Sequence, residues 1–140
     1  MTNNIFIDSN CWFRSKKELY NVIENEYEIV INSTVIYEVI KQLDLEIHLA
    51  RQKKREKREQ MLNELKIRFP KLMEDLDVKI LSTQINSVEL NNLVEMMEPY
   101  KLDIGDTIIY HDMIKNDISK IMTYDDDWKR INNIEIINFS

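Results

Sequence analysis

The chain is predicted to fold as a three-layer α/β/α sandwich around a mainly parallel central sheet. Three observations carry that prediction. Its strand-like runs, such as Ile5-Phe6-Ile7, Glu28-Ile29-Val30-Ile31 and Val78-Lys79-Ile80-Leu81, are short and mostly apolar rather than alternating, as strands covered on both faces are. They alternate with segments of helical periodicity, the pattern of parallel sheets joined by helical crossovers. Finally, the chain shows no repeat, linker or second domain, so these elements belong to one sheet, and polar residues just behind its strands, such as Asp8, are where its chemistry is to be sought. The 140 residues suffice for one complete core, so a single domain over 1–140 is expected.

The elements follow in order. Ile5-Phe6-Ile7 halts at Asp8-Ser9-Asn10 and reads as a buried strand. Residues 12–25 read as a helix with Trp12, Phe13, Leu19, Tyr20 and Ile23 as its apolar positions. The second run, 28–31, precedes Asn32-Ser33-Thr34, all residue types that cap helix N-termini. Val35, Ile36, Val39, Ile40 and Leu43 then repeat at helical spacing, and neither Gly nor Pro interrupts the chain before Pro70. A helix of that length would span roughly 54 Å, whereas a domain of this size has a radius of gyration of about 14 Å. It must overhang or break. Residues 51–60 (RQKKREKREQ) carry no apolar side chain, so an exposed helical arm or hairpin is expected at about 48–62. Apolar periodicity resumes at Met61, Leu62, Leu65 and Phe69. A third strand is expected at 78–81, helices at 86–98 and 103–116, and final strands at 121–123 and 134–137.

Composition bounds the function. With 44% hydrophobic and 31% charged residues the chain is neither disordered nor fibrous. No apolar run approaches a membrane span, and the N-terminus lacks a basic region before an apolar stretch, so a cytoplasmic protein is expected. Cys11 is the one cysteine and excludes an internal disulfide or a cysteine-rich zinc site. The net charge of −6 is uneven: residues 1–70 hold 12 basic and 11 acidic side chains, residues 71–140 hold 7 and 14. An acidic protein repels nucleic acid at long range, so a nucleic-acid function requires a local basic surface or bridging cations.

Four acids share the geography of the strand ends. Asp8 ends the first strand, Glu38 lies one turn into the helix after the second, Asp106 opens the 103–116 helix, and Asp125 follows the strand ending at Thr123. Individually each has an ordinary alternative: a turn aspartate, an exposed helical glutamate, a capping pair of Asp103 with Asp106, a solvated Asp125-Asp126-Asp127 turn. If the strands are neighbours, however, the four carboxylates converge without cationic partners. A hard divalent cation, Mg²⁺ or Mn²⁺, resolves that repulsion. Such sites position phosphodiesters for hydrolysis.

The order and spacing of IFIDSN, STVIYEVI, LDIGDTIIYHDMI and IMTYDDDW resemble the PIN-domain ribonucleases, which include the toxins of VapBC toxin–antitoxin systems. The likeness covers nearly the whole chain outside the basic stretch at about 50–60. It implies a PIN-like fold and a metal-dependent endoribonuclease whose site acids correspond to Asp8, Glu38, Asp106 and Asp125. Asp127, beside Trp128, is implied as a secondary metal ligand, and Asn10, Thr123 and Asp103 as supporting residues. The resemblance also implies RNA as substrate, an antitoxin protein as partner and a homodimer. The helix after the third acid departs from the family, carrying bulky Ile108, Ile109, Tyr110 and His111 where small residues are usual.

Arg51, Lys53, Lys54, Arg55, Lys57 and Arg58 form a basic cluster that either contacts RNA phosphates or is a solvated helical face mixed with Glu56 and Glu59. Trp12 and Trp128 either stack on bases or pack inside. His48 and His111 show no ligand-like spacing. An α/β phosphatase would need a second aspartate where Asn10 stands. A non-catalytic PIN-like scaffold, binding RNA or protein, is the alternative from a different class.

Overall fold

The computed structural model describes residues 3–13, 16–50 and 55–138. Its sheet has five strands, β1 (Asn4–Ile7), β2 (Glu28–Asn32), β3 (Lys79–Leu81), β4 (Lys120–Met122) and β5 (Glu135–Ile136), in the order β3-β2-β1-β4-β5 with every pairing parallel. Ile5, Phe6, Ile7, Ile29, Val30 and Ile31 are completely buried, as expected of central strands covered on both faces. The chain winds outward from β1 through β2 to β3, then returns to start again at β4 on the other side of β1. Right-handed crossovers therefore lay the helices of the two arms on opposite faces of the sheet. The winding reverses between β1 and β4, and the crevice for a ligand in such a sheet opens beyond the carboxyl ends of the strands at that point.

The first helix differs from its sequence reading. A 3₁₀ turn spans Ser9–Phe13, and α1 is described over Lys16–Glu24. Its buried positions are Leu19 and Val22, whereas Phe13, Tyr20 and Ile23 are exposed. The apolar count of the segment exceeded what one short helix can turn inward. Trp12 reaches the core from the 3₁₀ turn and meets Phe69 edge-to-face with ring centroids 5.9 Å apart. Trp128 is completely buried. Packing accounts for both tryptophans.

α2 (Ser33–Ala50) starts directly from β2, with the Asn32 side chain accepting the Val35 backbone N–H at 3.2 Å. Of the three candidate capping residues, the structure selects the one at the strand end. α3 (Arg55–Asn63) packs against α2 and buries no residue of its own, consistent with its polar sequence. Helical backbone continues past Pro70: a π-helical segment at Glu64–Arg68 leads into α4 (Phe69–Asp75). Proline lacks an N–H and its ring clashes with the carbonyl four residues back, and the wider π turn absorbs that conflict without ending the helix. α5 (Ser87–Tyr100) and α6 (Ile104–Lys115) then pack against each other on the path from β3 to β4. Among the described residues no helix is long and apolar enough to cross a membrane.

Candidate metal centre

The centre is assembled at the reversal point. β1 and β4 pair with Ile7 opposite Met122, and the Asp8 N–H extends the ladder by donating to the Met122 carbonyl at 3.0 Å. Asp8 and Thr123 thus face each other at adjacent strand ends. The Thr123 hydroxyl donates to Asp8 Oδ2 at 2.7 Å and accepts the Asp125 N–H at 3.1 Å, tying the two acid-bearing loops together. Asn10 supports the same junction, its Oδ1 accepting the Tyr124 N–H at 3.3 Å. Asp125 caps a 3₁₀ turn over Asp126–Arg130, accepting the Asp127 N–H at 2.9 Å. This short turn brings two carboxylates, two residues apart in the chain, close to one another.

Asp103 and Asp106 divide the labour on α6. Asp103 is the N-cap and accepts the Asp106 N–H at 2.8 Å, leaving the Asp106 side chain buried at 6% exposure in the first turn. Glu38 approaches from α2. Its Oε2 accepts the Ser9 hydroxyl at 2.9 Å, while its Oε1 is buried with no hydrogen-bond partner among the described residues. The close approach of α2 to α6 depends on Gly105, the sole glycine of the chain: a Cβ there would lie 3.1 Å from Glu38 Oε1 and 3.5 Å from Asp103 Oδ1. The bulk at Ile108, Ile109 and Tyr110 does not prevent this contact, because the contact is made one turn earlier, at Gly105.

The electrostatics follow from the gathering. Asp106 is pushed up to about 8, first by burial and then by the charges of Asp8, Asp103, Asp125 and Glu38. Burial also raises Asp8, against the opposing bonds from Thr123 and Ser9, and raises Glu38. The structure therefore brings Asp8, Glu38, Asp103, Asp106 and Asp125 into mutual electrostatic contact. The tightest group of possible ligand oxygens is Asp106, Asp125 and Asp127, within 4.8 Å of one another. Asp127 is thus as well placed as the four acids read first, although it also pairs with Arg130. A buried carboxylate oxygen lacking a donor, beside oxygens from several acids, is the donor set that a hard, oxygen-seeking divalent cation accepts. The residues present fit such an ion.

Ser9 and Gly105 were not singled out by sequence reasoning. Their signals were present: Ser9 lies between two candidate residues, and a lone glycine between Asp103 and Asp106 marks a tight approach. Of the basic cluster, Arg51, Lys53 and Lys54 lie outside the described residues. Arg55 and Lys57 are exposed on α3, and Arg58 is partly buried with Nε unpartnered among the described residues. His111 is engaged away from this centre, with Nε2 2.8 Å from Glu89 Oε2, and His48 is exposed.

A doubly arm-wound parallel sheet with acids gathered where its winding reverses defines an α/β protein built around an acidic strand-end edge. The chain matches the PIN domain over residues 5–134 and belongs to that family. Among solved structures it resembles VapBC2 from Rickettsia felis, crystallised bound to a DNA fragment from their promoter. The TM-score is 0.60 at 20% identity, covering 98% of this chain and 99% of that one. A comparison with curated proteins finds no match.

Proposed function

We propose that the protein is a divalent-cation-dependent endoribonuclease, the toxin of a toxin–antitoxin pair. The observation that supports this best is the acid cluster: Asp106, pushed up to about 8, is surrounded by the carboxylates of Asp8, Asp103, Asp125 and Glu38, with Arg130 paired to Asp127 at the rim. PIN domains are generally nucleases, and the fold shared with VapBC2 supports the toxin reading with an antitoxin protein as partner; a homodimer is proposed as the working state. Asp106, Asp125 and Asp127 would hold Mg²⁺ or Mn²⁺ directly, with Asp8 and Glu38 completing the acidic wall. When bound, such an ion supplies Lewis acidity toward the scissile phosphate and activation of water. Asp8 is oriented by Thr123 and Ser9, and Glu38 by Ser9, so these side chains enter the reaction already positioned. No covalent nucleophile is required.

The experiment is cleavage of single-stranded RNA by the purified chain with and without millimolar Mg²⁺ or Mn²⁺. Cleavage should require the ion and fall to background in Asp8→Asn and Asp106→Asn. A variant with wild-type cleavage overturns the assignment and favours the non-catalytic scaffold.

The basic cluster is proposed to contact RNA phosphates outside the acidic edge. Replacing Arg55, Lys57 and Arg58 by Ala should lower the slope of log affinity against log salt by about 2, at roughly 0.7 per phosphate contact on a single strand. An unchanged slope assigns this face to a protein contact instead.

A further inference from the structure

Beside the acid cluster lies a cavity of ≈ 230 Å³ that the proposed chemistry does not use. Thr123 and Asp125 belong to both, so the cavity opens directly onto the carboxylate edge. Its floor is apolar, made by Met122 at the end of β4 and by Ile136 and Ile137 of the neighbouring strand segment. Its aromatic wall is Tyr124, which is 37% exposed although its position in the loop is fixed by the backbone bond to Asn10. The Tyr124 hydroxyl donates to Glu18 Oε2 of α1, which ties the ring to a second lining residue, the Glu18 carboxylate. At the rim Lys129 pairs with Asp126 at 2.9 Å, both side chains being largely exposed.

We infer that this cavity receives the base of an RNA nucleotide flanking the scissile phosphate, and that it selects guanine. The inference rests on the ribonuclease reading above and deepens it. An unstacked base needs an aromatic face, an apolar floor and polar groups for its Watson–Crick edge. Tyr124 provides the first, and Met122, Ile136 and Ile137 the second. The polar group is decisive. A carboxylate only accepts hydrogen bonds, and one already receiving a Tyr124 hydroxyl keeps lone pairs for more. Guanine alone presents two adjacent donors, N1–H and the 2-amino group, suited to a two-point bond with a carboxylate. Adenine and cytosine present one amino group beside an acceptor nitrogen, and uracil one N–H between two carbonyls, so each sets an acceptor against Glu18. Lys129 exchanges its exposed partner Asp126 for a phosphate of the same nucleotide, since a surface pair of this kind is worth little.

The test is to cut a single-stranded RNA pool, randomised in sequence, with the full chain and Mg²⁺ or Mn²⁺, and to sequence the new ends. Guanine should be enriched at one position flanking the cut. Tyr124→Leu should flatten that position and raise KM for a guanine-containing oligonucleotide by about tenfold, more than it lowers kcat. Glu18→Gln should lose the guanine preference while still cutting. Tyr124→Phe keeps the ring and should keep most of the affinity, and together with Glu18→Gln it carries the test if Tyr124→Leu does not fold. Cleavage by the wild type without base preference, with preference for another base, or with a preference that survives Tyr124→Leu overturns the pocket and leaves the ribonuclease reading standing. No cleavage by the wild type with either ion overturns both.

Discussion

Two aspartates on α6, Asp106 and Asp112, are both buried, at 6% and 1% exposure, yet their surroundings are opposite. Asp112 is met by donors: the Asn32 side-chain amide at 2.8 Å and the Thr83 hydroxyl, with His111 Nδ1 3.3 Å away. The same Asn32 caps α2, so this carboxylate ties β2, α2, α6 and the segment after β3 into one network. Asp106 has no such company. It faces Asp8, Glu38, Asp103 and Asp125, and its proton is retained up to about 8. Burial costs a carboxylate a great deal unless donors or a cation compensate it. Donors from the protein make Asp112 part of the scaffold, whereas among the described residues Asp106 is surrounded by other carboxylates, the setting on which its proposed role as a cation ligand rests.

The largest expected effect separates the two by sign. Asp112→Ala strands the Asn32 amide and the Thr83 hydroxyl, which should cost about 1–3 kcal/mol and lower Tm by roughly 5–10 °C. Asp106→Asn replaces a carboxyl that ionises only against its neighbours' charges with an amide that never does, and should leave the metal-free Tm equal or higher. Thermal unfolding of both variants checks this. A drop in Tm for Asp106→Asn comparable to that for Asp112→Ala would break the contrast.

A second effect appears as pH changes without metal. Asp106 moves from an ordinary 3.8 to about 8 on folding, so the stability its neutral form supports is complete below the lower value and is lost as pH rises toward the upper one. The advantage of Asp106→Asn over wild type should therefore widen as pH rises through that window. Adding Mg²⁺ or Mn²⁺ at high pH should raise the wild-type Tm and close the gap, by up to about 2.7 kcal/mol at roughly a hundred times Kd. A wild-type Tm unmoved by either ion at pH 8 would contradict a preformed centre.

The smallest effect sharpens the geometry. Gly105→Ala removes helix-interior glycine entropy worth about 0.5–1 kcal/mol, so stability should change little or rise. The new methyl meets Glu38 Oε1 at 3.1 Å and must displace that carboxylate by a few tenths of an ångström. Metal affinity measured by calorimetry should weaken by roughly tenfold. Unchanged affinity would exclude Glu38 from the centre.

The parallel sheet, Asp8 and Asp125 behind their strands, and Glu38 and Asp106 early in their helices were legible because apolar runs and helical periodicity report burial locally; the choice between stacking and packing for Trp12 and Trp128 was not. Nor was the inward face of α1, because the apolar residues at 12–23 do not say which of them turn inward. Asp127 seemed secondary until the 3₁₀ turn capped by Asp125 brought it alongside Asp106. Asp112 gave no signal at all: its sequence neighbours are a histidine and a methionine, and its partners lie 29 and 80 residues away.

The sequence by itself determined which segments are buried and where acids follow strands, since each is a property of adjacent residues. Only the tertiary structure decided which buried aspartate is satisfied and which is not. That depends on donors delivered from distant strands and helices, and on the sheet order that sets β1 beside β4 and so closes Asp8, Asp106 and Asp125 into one site.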